Sequence, residues 1–535
     1  MPNEATSALP ALAVIIPAAA GVLIFLFGRF TGWLKEVLAI LGVGGALAAS
    51  LAIGRATLRG EILTSFDRQF YADSLSALLV VLISGIGFLA TVYACRYMLH
   101  QVQDSEVPHA SSARRLTMFY GWLMWFLATM LWACVSNNII MLYVAVEAST
   151  ICSGLLVAFY WDKRALEAGY KYLMLLTVGI TFALFGCVIV YASGAAVLGG
   201  HRGLLLSDLR TVAGSFPITT VVLASAFLIV GFGTKAGIAP FHPWLPDAHA
   251  EAPTPVSALL SGVMLKVAIY ALIRTVSLFY PHFSPVAMFV LGLGVFTLVL
   301  GDLMALAQDD LKRMLAYSSV SQMGYVLMGV GIGTQIGIYA ALFHLLNHAL
   351  AKALLFLAVG AVTYSTGARS ISQLGGLAKK MPITGFCFLA GALAISGIPP
   401  FNGFQSKLAL FVAGADAGVW WAVIIGLATS LVTLVVLVKA AQRVFWGSPP
   451  DQAAMKNVRE APLVLQVVMV VLALFCLGIG IYPKAVYAPL KAASAVVMTV
   501  GQNSTTTATK PQDRAPALTG RTSNPILVRY TGPAR

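Results

Sequence analysis

Seven ionisable residues stand inside stretches otherwise apolar enough to cross a bilayer: Glu147, Lys235, Lys266, His344, His348, Lys352 and Lys407. A charge at the middle of a membrane helix costs roughly 2.5 to 3.5 kcal/mol on insertion scales, so each is a functional hypothesis by default. What these types share is proton exchange. Lysine and glutamate hold or release a proton according to the charges around them, and histidine titrates nearest neutral pH.

The stretch GTKAGIAPFHPWLPDAHAEAPTPVSALLSGVMLKVAIYALIR, residues 233–274, holds Lys235 and Lys266 on either side of a polar turn. Counted from Glu251, the two lysines lie about 16 residues back and about 15 forward, each within roughly 24 Å of one membrane face at 1.5 Å rise. Pro240, Pro243 and Pro246 interrupt the first helix just past Lys235, with His242 among them. Irregular backbone at membrane depth is tolerated only inside protein or along a water-filled cavity. ALAISGIPPFNGFQSKLALFVAG repeats the arrangement, with Pro399 and Pro400 breaking a helix before Lys407. Two interrupted helices in corresponding halves point to an ion site.

Glu147 has no other acid or base in its span, and Lys235 is its expected partner. The pair is either a switch or a static ion pair. His344, His348 and Lys352 fall at i, i+4 and i+8, one stripe of a helix. The stripe suits a proton relay. Two neutral core histidines are the alternative, and zinc lacks a third ligand. Lys171 forms a helical pair with Glu167 or joins the relay. Asp302, deep in an apolar run, and His242 are further candidates for the path. Asp309 and Asp310 read as helix N-caps, and Arg274 and Lys439 as side chains snorkelling from helix ends.

The elements that must position these residues are membrane helices. The chain has 535 residues, 59% hydrophobic and 10% charged, against about 25% charged in soluble domains; mean hydropathy is +0.86. The expected class is an all-α polytopic membrane protein of about fourteen transmembrane helices, the seventh and twelfth broken. Residues 1–115 hold helices 1–3, 116–415 a core of helices 4–12, 416–500 helices 13–14, and 501–535 a disordered tail. The net charge of +14 reads as basic loops facing anionic lipid headgroups, not as a nucleic-acid surface. Basic residues favour one set of loops by roughly three to one, which puts both termini outside. Six isolated cysteines and no P-loop leave no ligand set for an iron-sulfur cluster, haem or structural metal. No cofactor is expected in this chain, and its energy must come from elsewhere.

GTKAGIAPFHPWLPDAHAEAPTPVSALLSG, QDDLKRMLAYSSVSQMGY, HLLNHALAKALLF and SGIPPFNGFQSK together resemble the antiporter-like subunits shared by respiratory complex I, Mrp sodium/proton antiporters and the membrane arms of group 4 nickel-iron hydrogenases. The resemblance covers nearly the whole chain up to the tail. SNNIIMLYVAVEAST and LEAGYKYLMLLTVGITFALFG bring it nearest to hydrogenase-4 component F, while Lys266 and Lys407 look more like the complex I and Mrp subunits. The resemblance implies two inverted five-helix repeats and a proton path through Glu147, Lys235, Lys266, His344, His348, Lys352 and Lys407. It also implies a non-redox, proton-translocating role in an oxidoreductase of the bacterial inner membrane. The implied partners are other membrane-arm subunits and a peripheral nickel-iron hydrogenase-like, iron-sulfur module. An Mrp-type Na+/H+ antiporter subunit and an inorganic-carbon-uptake subunit are the alternatives.

Overall fold

The computed structural model describes residues 3–30, 32–103, 112–280, 284–448 and 458–498; the tail expected to be disordered lies outside them. The first spans are α1 (Leu9–Phe27), α2 (Leu34–Leu58), α3 (Ser74–Gln103), α4 (Ser112–Val135), α5 (Ile139–Val157) and α6 (Lys163–Leu198). After a short surface helix, α7 (Leu206–Val212), come α8 (Ile218–Ala236), α9 (Trp244–Glu251), α10 (Thr254–Leu259) and α11 (Leu265–Val276). The rest are α12 (Ser284–Leu306), α13 (Leu311–Gly331), α14 (Gln335–Thr366), α15 (Pro382–Ser396), α16 (Asn402–Asp416), α17 (Trp420–Ala441), α18 (Leu463–Ile481) and α19 (Lys484–Met498).

Polar side chains start several of these helices by accepting from otherwise orphaned backbone N–H groups. Asn138 Oδ1 accepts from Ile140 N at 2.9 Å, Asp162 Oδ1 from Ala165 N at 2.8 Å, and Asp310 Oδ1 from Arg313 N at 3.0 Å. Asp310 is thus the N-cap foreseen. Asp309 instead accepts from Ser370 and Ser372 across the loop.

Among the described residues, twelve helices are long and apolar enough to cross a membrane. With α13, diluted by its polar residues, and the split pair α15 and α16, the spans among the described residues reach the fourteen expected. The α8/α9 and α15/α16 breaks share one construction. Each first half ends on a left-handed glycine, Gly237 (φ +71°) or Gly397 (φ +83°), and a cis X-Pro bond follows, Ala239–Pro240 or Pro399–Pro400. The left-handed turn is where glycine's lack of a Cβ is needed. The carbonyls freed by the breaks find partners: Trp244 Nε1 donates to Thr234 O at 2.8 Å, and Ser430 Oγ to Ser396 O at 3.1 Å. Irregular backbone at membrane depth is satisfied inside the protein, as it must be.

The span from Thr254 to Val276 and α14 form the buried centre of the bundle. Between α10 and α11 the helix widens into a π turn over Leu260–Met264, a local distortion that recurs at functional sites.

Three features depart from the sequence reading. A small sheet joins β1 (Asn3–Thr6), β2 (Glu61–Ser65) and β3 (Phe70–Ala72), with β1 parallel and β3 antiparallel to β2. Strands this short leave no periodic signal beside long apolar runs. Helix α19 was not foreseen. Tyr487 near its start stacks edge-on with Tyr339 at the beginning of α14, and Val497 O near its end accepts from Arg210 of α7 at 3.0 Å. Both ends meet one face, so α19 runs along that face and not across the bilayer. Arg274 does not snorkel. It forms an ion pair with Asp73, the two side chains being 12% and 3% exposed; a buried carboxylate at the foot of α3 holds it in.

Candidate functional site

Each half of the bundle buries lysines on hydroxyls and carbonyls, not on carboxylates. Lys235 Nζ donates to Val146 O (2.6 Å), Ser149 Oγ (2.8 Å) and Thr150 Oγ1 (2.5 Å), all on α5. The direct ion pair with Glu147 expected from the sequence is not formed. The Glu147 carboxylate points to α6, where Thr177 Oγ1 donates to it at 3.2 Å. Positions 146, 149 and 150 share the inner face of α5, whereas 147 lies round its side. Glu147 is therefore a charge beside the lysine's cradle, partly open at the protein surface.

From that cradle, Ser153 Oγ donates to Ser149 O at 2.6 Å and lies 2.5 Å from Tyr172 OH, which reaches Met264 Sδ in the π turn at 3.2 Å. In the same π turn Ser261 Oγ meets Ser319 Oγ of α13 at 2.8 Å. Lys266 Nζ donates to Ser261 O and meets His348 Nδ1. The predicted stripe on α14 does face one way. His344 and His348 rings lie 6.5 Å apart, and Lys352 Nζ donates to Leu315 O and Ser318 Oγ, each at 2.9 Å. His344 meets Ser406 Oγ at 3.1 Å through Nδ1 and Gln322 Oε1 at 3.2 Å through Nε2. Lys407 Nζ donates to Ser430 Oγ at 2.8 Å and lies 4.6 Å over the Tyr325 ring, a cation–π contact that holds a cation without a carboxylate. Lys235, Lys266, His348 and Lys352 are 0% exposed, His344 1% and Lys407 3%.

The remaining candidates divide. Asp302 is 1% exposed and accepts from Thr433 Oγ1, beside the Lys407 end of the array. Lys171 stands apart on the surface, paired with Glu167 at 2.8 Å and Asp247 at 3.5 Å. His242 lies at the first break with its ring 6.2 Å from Tyr317, and no side chain bonds its Nδ1 among the described residues. Near it, Arg313 pairs with Asp247, and Arg369 bridges Glu251 (2.8 Å) and Asp310 (2.7 Å).

Sequence reasoning missed the face of α13 that carries Ser318, Ser319, Gln322 and Tyr325, each bonded to or packed on a residue of the array. It also missed Ser149 and Thr150. The signal was the polar density of SSVSQMGY inside an apolar run, which demands internal partners in a bilayer. No group of three or more His, Cys, Asp or Glu is close enough to hold a metal among the described residues.

The array lies within residues 136–433, the segment matched by the family described as "NADH:quinone oxidoreductase/Mrp antiporter, TM", and residues 63–105 match "NADH-Ubiquinone oxidoreductase (complex I), chain 5 N-terminus". The chain belongs to this antiporter-like membrane-subunit family. NADH-quinone oxidoreductase subunit N of Desulforudis audaxviator (strain MP104C) is 34% identical, over 84% of this chain and 89% of that protein. A hydrogenase-4 component F homolog of Methylacidiphilum infernorum (isolate V4) is 32% identical over 86% and 93%. An Na+/H+ antiporter subunit of Alkalihalophilus pseudofirmus is 30% identical over 88% and 94%. Among solved structures, a chain of the archaeal membrane-bound sulfane sulfur reductase superposes with a TM-score of 0.82 at 25% identity, covering 92% of this chain and 98% of its own. A chain of respiratory complex I from Thermus thermophilus superposes with a TM-score of 0.72 at 26% identity, covering 91% and 99%. The antiporter-like family thus spans complex I, hydrogenase-4 and Mrp assemblies, and this member is a multi-pass membrane protein like them.

Proposed function

We propose that this chain conducts protons along the buried array from Lys235 through Lys266 and His348 to Lys407, as the non-redox membrane subunit of a redox-driven complex. The observation that carries the reading is the junction at the bundle centre, where Lys266 meets both Ser261 O and His348 Nδ1. That contact joins the first broken helix's half to the second. An imidazole that takes a proton at Nδ1 releases one from Nε2, and His348 Nε2 is bonded to no side chain among the described residues. The proton therefore moves on toward His344 and the Lys407 end. Bridging waters complete the gaps between side chains.

Drive enters through Glu147. Its side chain sits on the helix that forms the Lys235 cradle and is partly open at a surface free to receive a neighbouring subunit. A charge change in that neighbour alters the field on Lys235, which gives up its proton to the array. At about 10 Å and an effective dielectric near 20, such a charge is worth about 1.7 kcal/mol, a little over one pKa unit. The similarity to a hydrogenase-4 component F homolog favours other membrane-arm subunits and a nickel-iron hydrogenase-like, iron-sulfur module as partners.

Replacing Lys235 with Met should abolish coupled proton transport while assembly and partner redox activity persist. Unchanged transport would remove Lys235 from the path. An Mrp-type Na+/H+ exchanger is the second reading, favoured by the similarity to the Alkalihalophilus antiporter protein; sodium-dependent transport without a redox partner would select it.

A further inference from the structure

Asp302 is buried in α12 and the array does not use it. Both its oxygens accept from Thr433 Oγ1 of α17, at 3.0 and 2.9 Å. One turn back along α17, Ser430 Oγ holds Lys407 Nζ at 2.8 Å, and residues three apart share a helix face. Gln322 Nε2 reaches Thr433 Oγ1 at 3.5 Å while its Oε1 meets His344. The carboxylate is thus tied to both ionisable groups at the end of the array, and its charge acts on Lys407 and Lys352.

In the other direction, a cleft of about 80 Å³ opens between the ends of α12 and α17, with Asp309, Lys439 and Arg443 at its mouth and Ala305 and Val436 within it. Ala305 lies three residues beyond Asp302, and Val436 three beyond Thr433. The cleft therefore reaches to within one helical turn, about 5 Å, of the Asp302–Thr433 contact on the same two helix faces. It has polar walls and room for a few waters.

We infer that this cleft is a second proton access, through which Asp302 exchanges protons between water at the Asp309, Lys439 and Arg443 mouth and Lys407. In the inward step, cleft water gives a proton to the Asp302 carboxylate. The carboxylic acid then gives it up through the Thr433 hydroxyl, a bridging water and the Ser430 hydroxyl, each accepting one proton and releasing one of its own. The neutral Lys407 amine becomes ammonium, and Asp302 returns to carboxylate. The outward step reverses each transfer. The inference rests on the proposed function, because it needs Lys407 to gain and lose a proton. It opens the second broken helix to the face that carries loops 307–310 and 367–381.

The test uses the full chain in its native complex in membrane vesicles, with a cationic, membrane-impermeant methanethiosulfonate added to one face at a time. Gln373→Cys marks the cleft's face and Ala417→Cys the opposite face. Leu303→Cys, 59% exposed on the outside of α12, marks the lipid side, and the unsubstituted protein gives the background from its own cysteines. Val436→Cys should label from the Gln373→Cys face, and labelling should remove most of that variant's own transport. Asp302→Asn should lose transport and Asp302→Glu regain it. The proposal is overturned if Val436→Cys is inert from both faces, if it labels from the Ala417→Cys face, if labelling leaves transport intact, or if Asp302→Asn transports normally. Should Asp302→Asn fail to assemble, the Val436→Cys labelling still decides. Lys235→Met read in parallel separates the two claims: its loss of transport beside a silent Asp302→Asn sinks the cleft alone, and two silent variants sink the array itself.

Discussion

Helices α12 and α13 approach through glycines, and that approach sets where the face of α13 stands. A Cβ added at Gly301 would lie 2.4 Å from Ser321 N and 2.8 Å from Ser321 Cα, backbone atoms with no rotamer to give way. Gly324 faces Leu298 N at 2.5 Å, and Gly331 faces Leu291 N at 2.3 Å. Small residues in register let membrane helices pack backbone to backbone. Gly301→Ala must therefore part the helices by about 1 Å to reach the shortest ordinary contact of 3.4 Å. Ser318, Ser319 and Gln322 ride on α13, with bonds to Lys352, Ser261 and His344 of 2.9, 2.8 and 3.2 Å. A 1 Å displacement stretches these past hydrogen-bonding range. The overpacking costs about 1–3 kcal/mol of stability, while a misplacement of this size in a reacting array costs on the order of 10²-fold in rate. Proton transport by dye quenching in vesicles, normalised to assembled complex, should fall by that order for Gly301→Ala. It should stay normal for Gly292→Ala, where an added Cβ meets nothing within 4 Å. Equal transport by the two variants would refute the idea that α13's close approach sets the array.

The Lys235 cradle yields a second prediction. Ser149→Ala with Thr150→Val removes two of its three hydrogen bonds, worth about 1.5–3 kcal/mol each when the donor is charged, so coupled transport should collapse with assembly intact; a normal rate would show the cradle to be dispensable. At the opposite face, Asp73→Ala leaves Arg274 buried without its partner, which should cost about 3–5 kcal/mol of stability, read as a fall in detergent unfolding temperature. Burial alone would raise the Asp73 carboxyl, but the charge and hydrogen bond of Arg274 and the Ser76 N–H outweigh it and hold the group below its ordinary value of 3.8. A carboxyl so depressed stabilises the fold above its unfolded value, and that stability drains away as pH falls below 3.8 through the lower folded one. An acid-unfolding curve of Asp73→Asn should therefore be flatter in that range than the unsubstituted protein's, and identical curves would contradict the assignment.

The long apolar runs made the spans legible, and the paired proline breaks picked out the two interrupted helices. Lysines in hydrocarbon marked Lys235, Lys266, Lys352 and Lys407, because few other roles tolerate their cost. The i, i+4, i+8 spacing placed His344, His348 and Lys352 on one face. What the sequence could not show was pairing across helices. Glu147 looked like the partner of Lys235 because it was the nearest unpaired acid, yet helix rotation turns Val146, Ser149 and Thr150 toward the ammonium instead. Serines, threonines and glutamine are too common to stand out singly, and only their bonds to the lysines and histidines mark out the α13 face. The short strands and α19 lie outside the bilayer, where hydropathy carries no signal.

The central claim is that the two halves conduct as one array joined at Lys266. The most direct test is partner-driven proton transport by Lys266→Met in vesicles holding the native complex, measured beside the partner's own turnover. The account predicts an assembled complex whose proton transport is lost, and full transport by Lys266→Met would contradict it.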